Sequence, residues 1–211
     1  QMKRLQLLKT FFLFVFIPSA LLAQDFNRVK DLKAIPGFLT TYYDESEDRL
    51  FMKVDRIEEE LLYVTALSSG VGSNDIGLDR GQLGTTKVVY FKKAGNKLLL
   101  IEPNQDYRAL SENALEKESV NQAFAKSVIA GFTILEAAED GSLLIDLNPL
   151  LLRDAHGVID RLSATQQGNY QLDLSRSAHH RERSKSFEKN ILIDVLLTFS
   201  GKPKGYEIRS V

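Results

Sequence analysis

With 211 residues, 44% of them hydrophobic and 26% charged, the chain is long enough to bury a sizeable core and has the balance of a globular protein. A formal net charge of −1 offers no basic field for a phosphate backbone, so nothing points to a nucleic-acid partner. The complete lack of cysteine removes a disulfide framework, a thiolate nucleophile and an acylated cysteine behind a leader.

Gln1 cannot initiate, so the reading frame is expected to start at Met2. Lys3, Arg4 and Lys9 precede the apolar residues 11–17 (FFLFVFI), and Ala23 supplies a small residue before Gln24. That order is a secretory signal peptide over residues 1–23. Its apolar run is well short of the roughly 20 residues of a spanning helix. The mature chain is therefore expected to be free of the membrane and exported, to the periplasm, the outer surface or the medium.

Residues 24–36 have no clean period and read as a linker or arm. Residues 37–43 (GFLTTYY) and 49–54 (RLFMKV) alternate around the charged turn DESED, giving a hairpin. Residues 61–67 (LLYVTAL) read as a third strand. Residues 86–93 and 97–102 flank Ala94-Gly95-Asn96 and predict a second hairpin. Residues 113–130 predict the main helix, with Asn113 as N-cap, Glu116 three residues on, and Val120, Ala123, Phe124 and Val128 as one apolar face. Residues 132–138 and 142–147 flank an Asp-Gly turn, and Asn148-Pro149 opens a short helix. Residues 169–174 suggest a strand, 175–189 a polar loop, and 191–199 (ILIDVLLTF) a strand apolar on both faces and therefore central. Residues 206–211 begin one more strand, inside which the chain stops. The expected class is α+β, a largely antiparallel sheet built from hairpins with one main helix packed on a face. It would form one domain over residues 37–211, truncated at its C-terminal end.

Between the third and fourth strands lies SSGVGSNDIGLDRGQLGT, with five of the thirteen glycines. So many glycines demand positive φ or close backbone approach. Gly70, Gly72, Ser73, Asn74, Gly77, Asp79, Arg80 and Gly81 form the candidate structural or docking loop, with an Asp79–Arg80 ion pair as its pin. No G-x-x-x-x-G-K-[ST] or G-x-G-x-x-G is present, and a strand rather than a helix follows, so nucleotide binding is not expected. The three histidines, His156, His179 and His180, lie in no H-E-x-x-H, and zinc needs three or four converging ligands. No cofactor, catalytic residue or metal ligand is expected in this chain. The acidic clusters at residues 44–48 and 58–60 read as solvated turns.

Several stretches taken together resemble one family. They are IPGFLTTYYDESEDRLFMKV, LLYVTALSSGVGSNDIGLDRGQLG, VVYFKKAGNKLLLIEPNQDYRA, NQAFAKSVIAGFTILEA with LLIDLNPLLLRD, and LDLSRSAHHRERSKSFEKNILIDVLLTF. The chain is similar to the uncharacterised N-terminal domain of large secreted bacterial zinc-dependent metalloproteases of the metzincin type, from about Ile35 to Phe199. GVGSNDIGLDRGQLG is the most specific stretch. The resemblance implies a downstream catalytic module carrying H-E-x-x-H-x-x-G-x-x-H and zinc; that motif does not occur in these residues. It implies as partners that module and a protein or peptide substrate. Two other readings fit the residues: a stand-alone module that binds peptide, glycan or a cell-surface partner, and an inhibitory or chaperone-like pro-region.

Overall fold

A computed structural model describes residues 26–206 and 208, apart from 74, 85 and 108. The first elements are β1 (Ala34–Ile35), β2 (Thr41–Asp44), β3 (Arg49–Val54), β4 (Leu61–Tyr63), β5 (Lys87–Ala94) and β6 (Lys97–Glu102). Then come α1 (Ala114–Ala123), β7 (Ser127–Thr133), β8 (Glu136–Ala137), β9 (Leu143–Asp146), α2 (Asn148–Leu151) and α3 (Val158–Ala164). The last are β10 (Gly168–Leu172), β11 (Ala178–His179), β12 (Lys185–Ser186), β13 (Ile191–Leu192), β14 (Val195–Leu196) and β15 (Phe199–Pro203).

Two antiparallel sheets pack face to face. One has the order β1-β2-β3-β9-β8, the other β4-β5-β6-β7. Strand alternation sorts the side chains between them. Leu50, Met52 and Val54 of β3 and Leu143 and Ile145 of β9 point inward, against Val89, Phe91, Leu98, Leu100 and Phe132 of the other sheet. The opposite face of the five-stranded sheet carries Tyr42, Phe51 and Leu144, and is covered by Phe26 and Val29 from the N-terminal segment. A second, smaller core joins α3 to the antiparallel β10–β15 ribbon through Val158, Leu162, Tyr170 and Phe199. Among the described residues no helix is long and apolar enough to cross a membrane.

The expected α+β class is overturned. The protein is β-rich, built from mostly antiparallel small sheets with few helices, and among the described residues no main helix lies on a sheet face. Asn113 does cap α1, accepting from the Leu115 amide at 3.0 Å. The helix stops at Ala123, however, and none of its residues is buried; Leu115 is 79% exposed. Residues 127–130, read as its last turn, pair instead with β6, and Val128 sits opposite Ile101. Valine, isoleucine and threonine suit a pleated surface, and the sheet partner overrides the helical spacing.

Residues 191–199 are also not a central strand. They are divided among β13, β14 and the start of β15, with Leu192 and Leu196 more than half exposed. Asp194 interrupts them and ties the stretch to the loop before it. Its amide donates to Ser184 Oγ at 3.0 Å, its carbonyl accepts from the His180 amide at 2.9 Å, and its carboxylate pairs with Arg183 at 3.0 Å. The hairpins β2–β3 and β5–β6 form where the alternation places them.

Candidate functional site

The glycine-rich stretch is the far end of the β4–β5 hairpin. Tyr63 lies opposite Lys87, and further out Ala66 lies opposite Leu83, so the pairing slips by one residue between the two points. Such a bulge turns the ribbon. The two limbs stay bonded beyond it: Gly84 N to Thr65 O at 2.7 Å, Leu67 N to Gln82 O at 2.9 Å, Gly81 N to Leu67 O at 2.7 Å, and Val71 N to Leu78 O at 3.1 Å. At the tip, Ile76 and Leu78 turn into the second core and are 1% and 3% exposed. The Arg161 side chain of α3 donates through Nε to the Ile76 carbonyl. Ser68 Oγ donates to Asp194 at 3.1 Å, fixing the base of the arm.

Each sequence-predicted residue has a definite place, except Asn74, which lies outside the described residues. Gly72, Gly77 and Gly81 have φ of +86°, +70° and +85°, which side chains rarely adopt. Gly70 is required by close approach, since a Cβ there would stand 2.9 Å from both the Arg80 amide nitrogen and the Leu78 carbonyl oxygen. Ser73 is half-buried. Asp79 and Arg80 are exposed, and no ion pair joins them. The pin is instead the pair of apolar anchors together with Arg161. Spacing within the loop could not reveal this, because Arg161 is distant in sequence.

A cleft of about 350 Å³ opens beside the base of the arm, at one end of the sandwich. Tyr63, Lys87, Glu102 and Ser127, one from each strand of the four-stranded sheet, line one side. Arg153, Asp154 and Ala155, between α2 and α3, line the other. Lys87 and Glu102 are paired at 2.5 Å. Both Asp154 oxygens are occupied by the first turn of α3, accepting from the Val158 and Ile159 amides at 2.8 Å each. A carboxylate there complements the positive end of the helix. Arg153 donates through Nε to Leu150 O at 3.2 Å and through Nη1 to Ile129 O at 3.4 Å. Next in sequence to Ala155, His156 Nδ1 is buried with no partner among the described residues.

Elsewhere, His179 bridges the two halves of the chain. Its amide and its Nδ1 each lie 3.2 Å from the Asp48 carboxylate, which also accepts from Tyr43 OH at 2.7 Å. Burial opposes the Asp48 charge, yet the hydrogen bonds from Tyr43 and His179 hold its carboxyl below the usual range. Burial first, and then the hydrogen bond to Asp48, push the Tyr43 phenol up from 10.0 to about 12. A raised folded value means stability that is complete below pH 10 and lost as pH rises through about 12. Urea titrations are therefore expected to show midpoints falling across that window, and falling less in Tyr43→Phe. An identical alkaline fall in the variant would contradict this. Among the described residues no group of three His, Asp or Glu side chains is arranged to hold a metal ion.

Comparison with known proteins gives one family match. Residues 81–210 fit the model described as Domain of unknown function (DUF5117), beginning at Gly81 within the arm and running through the cleft wall and the second core. No curated protein and no solved structure matches the chain. The matched span is well over half of the 211 residues, and the chain belongs to the DUF5117 family.

Proposed function

We propose that this chain is a non-catalytic accessory domain of an exported zinc-dependent metalloprotease, with peptide-bond hydrolysis residing in a downstream module of the same polypeptide. The observation that carries the reading is the arm. It coincides with GVGSNDIGLDRGQLG, the most specific stretch of the metzincin-type resemblance, and it is built for presentation. Ile76 and Leu78 anchor it from beneath while Asp79, Arg80 and Gln82 face solvent. A preorganised polar edge binds a partner with little ordering cost. Among the described residues no group of three His, Asp or Glu side chains is placed to hold a metal ion, and no catalytic step is assigned to them. On this reading zinc and its ligands belong to the downstream module, where the metal would activate water.

The test uses the full-length polypeptide. Replacing Asp79 and Arg80 together by alanine is expected to lower casein hydrolysis several-fold, while the isolated chain hydrolyses none. Casein cleavage by the isolated chain, or full activity after deletion of residues 24–211, would overturn the proposal. A rise in activity on deletion would replace it with the inhibitory pro-region. Export is part of the same proposal: mass spectrometry of the exported protein is expected to find Gln24 at the N-terminus, and an intact residue 2 would refute it.

A further inference from the structure

Among the described residues of the cleft, Arg153 is the cation that no carboxylate pairs with. A guanidinium has five N–H groups in a fixed fork. Two of them go to the Leu150 and Ile129 carbonyls, which hold the plane in place without neutralising it. No carboxylate among the described residues pairs with it. The two acids of the cleft are committed elsewhere, Glu102 to Lys87 and Asp154 to the first amides of α3. Hydroxyl-bearing Thr65 and Ser127 line it as well, with Ile129. A volume of about 350 Å³ is at the small end of ligand sites, room for one or two residues of a peptide.

We infer that this cleft binds a carboxylate through the free edge of the Arg153 guanidinium, and that the carboxylate is the C-terminus of a peptide. A planar fork matches a planar carboxylate with two parallel bonds. Lys87 and Arg153 against Glu102 and Asp154 leave the lining formally neutral, which makes a doubly charged phosphate a poor guest, whereas a carboxylate brings one negative charge to the one cation with no carboxylate partner. The Thr65 and Ser127 hydroxyls can serve the backbone amide and carbonyl groups that accompany a peptide terminus and that a lone small acid lacks. This assignment rests on the cleft alone and stands or falls separately from the protease reading.

Calorimetric titration of the whole chain tests it. The probes are acetyl-Ala-Ala-Ala with a free terminal carboxylate, the same peptide as its C-terminal amide, acetyl-Ala-Asp-Ala-amide, and acetate. The free acid is expected to bind at least tenfold more tightly than each of the other three. Arg153→Lys keeps the charge but loses the fork, and is expected to weaken the free acid at least tenfold. Ala155→Leu fills the mouth from an exposed connector residue, and is expected to do the same with an unchanged melting temperature. Equal binding of acid and amide, no binding of the acid at millimolar concentration, or wild-type affinity in Ala155→Leu would overturn the inference. Tighter binding of the aspartyl peptide or of acetate would overturn the choice of a peptide terminus.

Discussion

Ile76→Ala is expected to lower the stability of the chain by about 2–5 kcal/mol, the usual cost of emptying a fully buried aliphatic site. Ile76 is 1% exposed and lies among Leu78, Val158, Leu162, Tyr170 and Phe199. Its carbonyl also receives the Arg161 side chain, so a shift of the arm tip would strip a cation of its acceptor. The site cannot easily collapse, because the residues around it belong to a helix and a two-stranded ribbon held by their own hydrogen bonds. The contrast with Arg80→Ala is the informative part. Arg80 is exposed with no partner among the described residues, so its removal is expected to stay within about 0.5 kcal/mol. Urea denaturation of the two variants side by side measures both. A small loss for Ile76→Ala together with a large one for Arg80→Ala would restore the charged pair as the pin.

Gly77→Val is the second large effect, and it acts through the backbone. Gly77 has φ of +70°, and a β-branched residue held there costs on the order of 1–3 kcal/mol in strain. A steric cost adds to this, since a Cβ at that position would lie 2.6 Å from Arg161 Nη2. The free end of the guanidinium would have to shift, which strains its Nε bond to the Ile76 carbonyl. Gly72→Ala separates the two contributions: φ is +86°, but nothing lies within 4 Å of the added carbon. Melting temperatures are expected to fall most for Gly77→Val and less for Gly72→Ala. Equal losses would mean that the Arg161 contact carries no weight.

What could be read from the chain divides by the range of the signal. The hairpins β2–β3 and β5–β6 follow from alternation and from the turns between them, which are local. The N-cap of α1 is local too, and Asn113 acts as one. Where the helix ends is not local: residues 127–130 leave it because β6 offers them a strand edge. The broken course of residues 191–199 depends on Asp194 finding Ser184, His180 and Arg183, which the apolar run disguised. In the glycine-rich arm, the glycines mark unusual backbone angles, whereas nothing local distinguishes the buried Ile76 and Leu78 from the exposed Asp79 and Arg80. Ile76 and Leu78 look like ordinary loop hydrophobics until α3 and β10 are brought over them. The cleft left no mark in the sequence, because its residues come from four strands, from Thr65 just past β4 and from a connector that only tertiary pairing assembles.

The central claim is that the glycine-rich arm is a folded, internally anchored ribbon rather than a flexible insertion. Amide hydrogen exchange on the intact chain tests it most directly, at Leu67, Val71, Gly81 and Gly84, whose N–H groups bond across the arm. The anchoring predicts protection at all four comparable to that of the β5–β6 hairpin, lost together in Ile76→Ala. Exchange of the four at unprotected rates in the wild-type chain, beside a protected β5–β6 hairpin, would contradict it.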